Sequence, residues 1–204
     1  MIVIINYGVG NLSSIRNMLK KIGVEAVISD NKDEIARATK VILPGVGAFD
    51  HCMAMFNNSG LREVVSKKAL EEKVPTLGIC VGLQILTEKS EEGSTPGLGW
   101  IKGQTIRFRQ EQLDKLKVPH MGWTNVHSRK PSCLTENFPE DSRFYFVHSY
   151  HVSLQDASDE LLSAHYGYDF TAGIERENIR GVQFHPEKSH RFGMQLLENF
   201  SKRC

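Results

Sequence analysis

The chain has 204 residues, 40% hydrophobic and 24% charged, which suits one α/β domain with a substantial core. Its 25 basic and 24 acidic residues leave a net charge of +1, so neither a nucleic-acid nor an anionic-membrane surface is expected. No apolar run approaches the ~18 residues of a membrane span, and the first strand is preceded by no basic region and followed by no cleavage-like site. The four cysteines, Cys52, Cys80, Cys133 and Cys204, contain no C-x-x-C pair and no regular spacing. They therefore predict no disulfide framework and a reducing, cytoplasmic setting. Two short basic spots, Lys67-Lys68 and Arg107-Phe108-Arg109, read as solvated faces.

In chain order, residues 2–6 form a nearly all-apolar strand of the kind buried on both faces. Residues 13–22 are helical, with Ile15, Met18, Leu19 and Ile22 on one face, Asn11 as N-cap and Gly23 just past the end. A strand over 24–28 follows. Asn31 opens another helix, with Glu34 at capping-box spacing. Val41-Ile42-Leu43 is a strand that ends in Pro44-Gly45-Val46-Gly47, and a helical stretch with Leu61, Val64, Val65 and Ala69 on one face runs to Leu70. This βαβα rhythm predicts a parallel sheet flanked by helices. Beyond it, residues 97–108, 123–126, 143–147, 161–166 and 179–184 read as strands joined by polar turns. Helical pattern returns over 189–200, with Phe192, Leu196 and Phe200 as its buried row. The expected architecture is one α/β domain with an added antiparallel portion.

Gly78-Ile79-Cys80-Val81-Gly82 is the most informative stretch. It places a cysteine between an apolar strand (74–79) and an apolar helix start (81–86), with glycines where the two backbones pass closely. A thiol raised on such an elbow meets free N–H groups and the positive helix end, which favour a nucleophile. A small buried hydrophobe could occupy the same place, because free cysteines are often buried. The second constellation is His185-Pro186-Glu187, at the end of the strand over 179–184. In extended backbone residues i and i+2 share a side, so Glu187 can select one tautomer of His185 and leave the other ring nitrogen for a nucleophile or substrate. A surface His beside a surface Glu is the bland alternative. Together the two stretches predict a Cys-His-Glu triad.

Strand ends gather Tyr7 to Asn11, Pro44 to Phe49, Cys80 and His185, where open parallel sheets build their sites. A cysteine attacking an amide needs two N–H donors for the oxyanion. The amide of Val81 can supply one and the Gly45-Val46-Gly47 turn the other, unless those glycines serve only as a tight turn. Gly8-Val9-Gly10-Asn11-Leu12-Ser13 imitates a dinucleotide fingerprint, with Asp30 at a suitable distance. However, Ser13 replaces the third glycine, so dinucleotide binding is a weak alternative. The remaining histidines, including His51, His120, His127, His148, His151, His165 and His190, lack metal-ligand spacing. His120 and His127 flank Trp123 without an obvious partner. No metal is expected.

Pro44-Gly45-Val46-Gly47, Gly78-Ile79-Cys80-Val81-Gly82-Leu83-Gln84 and Gln183-Phe184-His185-Pro186-Glu187 occur in the order of the class I glutamine amidotransferases, which the chain resembles. Asn6-Tyr7-Gly8-Val9-Gly10-Asn11, Pro119-His120-Met121-Gly122-Trp123, Tyr145-Phe146-Val147-His148-Ser149-Tyr150 and Glu187-Lys188-Ser189 are similar to its HisH branch, the glutaminase subunits of imidazole glycerol phosphate synthase. The resemblance implies a flavodoxin-like class I glutaminase fold over residues 1–204 and hydrolysis of glutamine by Cys80, His185 and Glu187 without a cofactor. Val81, Val46 and Gly47 would serve as the oxyanion turn. Gln84, Gly47, His148, Ser149 and Tyr150 would hold the substrate. Ammonia would pass to a HisF-type (β/α)8-barrel cyclase in a heterodimer contacted by Asn11, Trp123 and Lys188. Read alone, Gln84 would be a helix-surface amide, Trp123 a core aromatic and Lys188 a solvated lysine. The chain departs from the family pattern at Thr124, more often Asn, and at His190, more often Gly, both near the supposed partner face. The resemblance also admits a HisH-like paralogue that supplies ammonia for amidation of a surface-polysaccharide sugar. A stand-alone cysteine hydrolase and a non-catalytic binding module are the other classes the sequence leaves open.

Overall fold

A computed structural model describes residues 1–113 and 115–204, and those residues contain a twelve-stranded mixed sheet. The first half alternates as β1 (Ile2–Ile5), α1 (Leu12–Lys21), β2 (Ala26–Ser29), α2 (Lys32–Ala36), β3 (Lys40–Gly45), α3 (Phe49–Asn58), α4 (Arg62–Ser66), β4 (Thr76–Cys80) and α5 (Val81–Gln84). The second half carries β5 (Lys89–Ser90), β6 (Gly103–Arg107), β7 (His120–Ser128), β8 (Arg143–His148), β9 (Tyr150–Leu154), β10 (Glu160–Tyr166), β11 (Tyr168–Arg176), β12 (Ile179–Val182) and α6 (His190–Lys202).

Strands β2, β1, β3, β4 and β12 lie side by side and parallel, the 2-1-3-4-5 order of flavodoxin-like sheets. From β12 the sheet continues antiparallel through β11, β10, β7 and β8, while β9 joins β6 to β11. The expected antiparallel addition is therefore present. It includes β9 and β11, which the sequence did not announce. β12 is the seam between the two halves. It pairs in parallel with β4, so the ends of both strands, which carry Cys80 and His185, emerge next to each other.

β1 is buried along its whole length, as its apolar run requires. Ile15 and Leu19 of α1 and Phe192, Leu196 and Phe200 of α6 are buried against the sheet, with Met18 and Ile22 at the margin. The long helix expected up to Leu70 is broken. Gly60 adopts φ +70 after α3, and α4 continues into a π-helical turn, Lys67–Glu71. That turn buries Lys68, whose Nζ donates to the Ala36 carbonyl at 3.0 Å and pairs with Glu72, so only Lys67 of this basic spot is solvated. Phe108 of the other spot is buried among His148, His151 and Phe170. Residues 97–102 are irregular rather than strand. The capping box at Asn31 is half made. Its side chain accepts from the Asp33 and Glu34 amides, but Glu34 takes the Ser29 hydroxyl instead.

Cys133 and Cys204 are joined by a disulfide, which corrects the expectation of none. The two lie 71 residues apart in sequence, so spacing could not reveal the pair. The fold brings them together by docking the end of α6 on the 3₁₀ turn Cys133–Thr135, where Asn199 Nδ2 donates to the Leu134 and Glu136 carbonyls. Free cysteines are Cys52 and Cys80, both buried. Among the described residues no helix is long and apolar enough to cross a membrane.

Candidate active site

β4 ends at Cys80 with φ +55 and ψ −115, a left-handed conformation that non-glycine residues adopt only under constraint. The constraint is close backbone approach. A Cβ at Gly82 would stand 1.9 Å from the Leu43 carbonyl oxygen, and one at Gly78 would stand 2.7 Å from the Gly82 carbonyl oxygen. The helix behind the elbow, expected to run to Leu86, is a single turn ending at Gln84, so its dipole is too short to carry the electrostatics anticipated for it.

β12 delivers His185, which is held by its backbone N–H to the Tyr145 carbonyl and by its own carbonyl accepting from Ser189 Oγ at 2.6 Å. Its Nδ1 lies 2.8 Å from Glu187 Oε1, with both side chains almost fully buried. The link is not made in extended backbone as expected, because residues Pro186–Lys188 form a 3₁₀ turn that swings Glu187 back under the ring. Burial opposes a charge on the imidazole. Contact with Cys80 and Glu187 outweighs it and raises the His185 pKa to about 10. Burial pushes the Glu187 carboxyl up, and the imidazole and the Asn11 amide more than offset this, so it lies below the usual range. Glu187 accepts on Oε1, and the ring nitrogen opposite Nδ1 is left for the sulfur.

A cavity of about 340 Å³ opens over the thiol. Val46, Gly47, Cys80, Val81, Gln84, His148, Ser149, Tyr150, His185 and Lys188 all line it. Glu92, Pro119 and Val147 line it too and were not anticipated. Gln84 is not on the helix surface but 3% exposed. Its Nε2 donates to the Tyr150 carbonyl and to Gln183 Oε1, both at 3.1 Å, so Oε1 is its remaining acceptor. Gln183 Nε2 in turn faces Cys80 Sγ at 3.9 Å.

The turn after β3 is clamped from beneath. Tyr7 Oη donates to the Pro44 carbonyl at 2.5 Å, and Cys52 Sγ donates to the Val46 carbonyl at 3.2 Å. Burial pushes the Cys52 thiol up to about 11, which keeps it a donor. A trans peptide sets its N–H opposite its C=O, so the Gly47 N–H points away from Cys52. α3 begins at Phe49 without a side-chain cap of its own. Glu92 supplies one by accepting the Phe49 amide at 2.8 Å. In return Asp50 accepts the Ser94 and Thr95 amides at 3.0 and 3.1 Å.

Other expectations are revised. Asn11 occupies the N-cap position but makes no capping bond, and its Nδ2 donates to Glu187 Oε1 at 3.1 Å. The loop resembling a dinucleotide fingerprint is filled from within. A Cβ at Gly8 would meet Met55, and one at Gly10 would meet Pro44 at 2.9 Å. Through Asn11 it supports the Glu187 carboxylate instead. Trp123 is no core aromatic. It is 43% exposed and stacks on His190 at 5.5 Å with planes 7° apart, outside the thiol cavity. Lys188 Nζ sits 5.9 Å over the Tyr145 ring at the cavity wall. His120 does have partners, namely His148 and Thr124.

The model of the family "Glutamine amidotransferase class-I" matches residues 3–204. A protein of Methanococcus maripaludis described as imidazole glycerol phosphate synthase subunit HisH 2 is 49% identical over 204 residues, which is all of both chains. The protein of Pseudomonas aeruginosa with the same description is 50% identical over 98% of each chain. Among solved structures, PurLQS from Thermotoga maritima shares the fold, with a TM-score of 0.72 at 19% identity over 98% of this chain and 96% of that one. With a cysteine elbow, a buried His-Glu pair and full-length matches all pointing one way, the chain belongs to the class I glutamine amidotransferase family, within its HisH group.

Proposed function

We propose that this chain is the glutaminase subunit of an imidazole glycerol phosphate synthase, acting in the cytoplasm in histidine biosynthesis and passing ammonia to a HisF-type (β/α)8-barrel partner. The carrying observation is the 2.8 Å His185–Glu187 contact beside Cys80 at one cavity, on strands that run parallel and adjacent. Cys80 Sγ, its proton held by His185, attacks the side-chain amide carbon of glutamine. The tetrahedral oxyanion takes the Val81 N–H and a donor of the Val46–Gly47 turn. His185 returns the proton to the departing nitrogen, ammonia leaves, and a thioester remains. His185 then takes a proton from water, which attacks the thioester and releases glutamate and the free thiol. Glu187 keeps His185 oriented throughout, and Asn11 fixes Glu187. Gln84 Oε1, with backbone of Ser149 and Tyr150, supports the amino-acid end of the substrate.

The partner face is supported by exposure. Met121 and Trp123, at i and i+2 on β7, are 60% and 43% exposed, and Lys188 links that side to the cavity wall. Two of the relatives are described as HisH 2, which favours a second reading: a paralogue with the same chemistry that feeds a surface-sugar amidation. Co-purification with candidate barrel partners, followed by glutamate release, tests the first reading. Glutamate production that the partner raises and Cys80→Ala abolishes supports it, and unchanged turnover in that variant removes the triad. Rescue of a strain lacking the histidine-pathway subunit separates the two acceptors.

A further inference from the structure

Three histidines are buried outside the catalytic pair: His120, His148 and His151. His151 is closed off, with Nδ1 on the Val152 carbonyl and Nε2 on Tyr168 Oη. His120 and His148 face each other across β7 and β8 and form a chain that ends at the substrate pocket.

The tautomers follow from the ends of that chain. His148 Nδ1 lies 2.7 Å from the Tyr150 carbonyl, an acceptor, so this nitrogen carries the proton. Burial keeps the ring neutral by pushing its pKa well below the ordinary value. His148 Nε2 is then an acceptor, and His120 Nδ1 donates to it at 2.9 Å. Burial likewise lowers His120, to about 4, so it is neutral too. Its Nε2 accepts from Thr124 Oγ1 at 2.8 Å. The His120 ring cannot turn away, since it is stacked between Phe146 at 4.9 Å and Tyr166 at 4.1 Å. Every donor thus points the same way, from Thr124 through His120 and His148 to the Tyr150 carbonyl. That carbonyl also receives the Gln84 amide, whose second hydrogen reaches Gln183 beside Cys80.

We propose that Thr124 and His120 are positioning residues for the glutamine pocket: they hold His148 in the Nδ1–H tautomer that fixes the Tyr150 carbonyl and, through it, Gln84. None of the three relay side chains needs to touch the reacting amide. Their action is to preorganise the wall that grips the amino-acid end, and cooperative polarisation along a neutral chain tightens each bond. The inference rests on the glutaminase reading for its kinetic effect, but not for its tautomer assignment.

Thr124→Val removes the first donor while keeping shape and strand propensity, and Thr124→Ser restores it. The expected result for Thr124→Val is a rise in KM for glutamine of about 2- to 10-fold, the range of one lost hydrogen bond, with kcat nearly unchanged. Thr124→Ser should return KM to the parent value. In parallel, long-range proton–nitrogen correlation on ¹⁵N-histidine protein should find His120 and His148 protonated at Nδ1 alone in the parent chain, with the His120 Nε2 resonance shifted in Thr124→Val as its donor is lost. A proton on His148 Nε2 in the parent chain, or an unchanged KM in Thr124→Val, overturns the proposal. A parent chain that releases no glutamate, with or without partner, while showing both Nδ1–H tautomers, sinks the glutaminase reading and leaves the relay standing.

Discussion

Gly82→Ala is the sharpest test of how the elbow is held. A Cβ there would sit 1.9 Å from the Leu43 carbonyl oxygen, where ordinary contact begins at 3.4 Å, so 3.4 − 1.9 = 1.5 Å of relief is needed. Neither side yields cheaply. Leu43 is fixed in the parallel ladder between β1 and β4, and Gly82 follows the left-handed Cys80 by two residues. Overpacking of this kind costs about 1–3 kcal/mol. For a chain of this length that lowers Tm by about 2–4 °C per kcal/mol, or about 2–12 °C in all. The larger effect falls on activity. Moving the sulfur by ~1 Å from its attack position costs about 10²-fold in rate. Thermal unfolding and glutamate release on the same preparation check both. A Gly82→Ala protein with parent Tm and parent turnover would refute the claim that backbone approach, rather than loop chemistry, sets the position of Cys80.

Cys80→Ala and Cys80→Gly should both be inactive, but the glycine variant should be the more stable by about 1 kcal/mol in denaturant titration, because φ +55 costs it nothing. Equal midpoints would argue against strain at this residue. His185 is held near pH 10 against about 6.5 in an unfolded chain, so its contribution is complete below pH 6.5 and disappears as pH climbs to about 10. Chemical denaturation of the parent and of His185→Asn should therefore give a stability gap that narrows between pH 7 and pH 10; a widening gap has the wrong sign. His190 carries φ +44 and stacks on Trp123. In His190→Gly the relief of about 1–2 kcal/mol is offset by loss of the stack, about 0.5–1.5 kcal/mol, and by glycine entropy. Stability should stay within about 1 kcal/mol while tryptophan emission shifts red, since Trp100 is buried; unchanged emission would remove the stack.

The elements that position the site were legible because they obey short-range rules. The apolar run of β1, the glycine-flanked Cys80 and the periodic row of α6 each declare themselves within a dozen residues. What escaped was long-range. β9 and β11 carry His, Ser, Asp and Gly at positions that only cross-strand partners make sense of. The Cys133–Cys204 pair needs α6 to return over 71 residues. Asn11 looked like a cap because its spacing fits one, yet Glu187, 176 residues away, takes its amide. That Cys80, His185 and Glu187 would meet was readable from type and order, but the 3₁₀ turn that brings Glu187 under the ring was not.

The mutual grip of Glu92 and Asp50 has a mechanical consequence. The segment bearing Glu92 anchors the first amide of α3, and α3 anchors that segment at Ser94 and Thr95, so neither can shift alone. Glu92 is also part of the cavity wall and Gly47 part of its floor. A tilt of α3 would therefore travel to both at once, making the mouth of the cavity and the turn beside the thiol a single hinged lever.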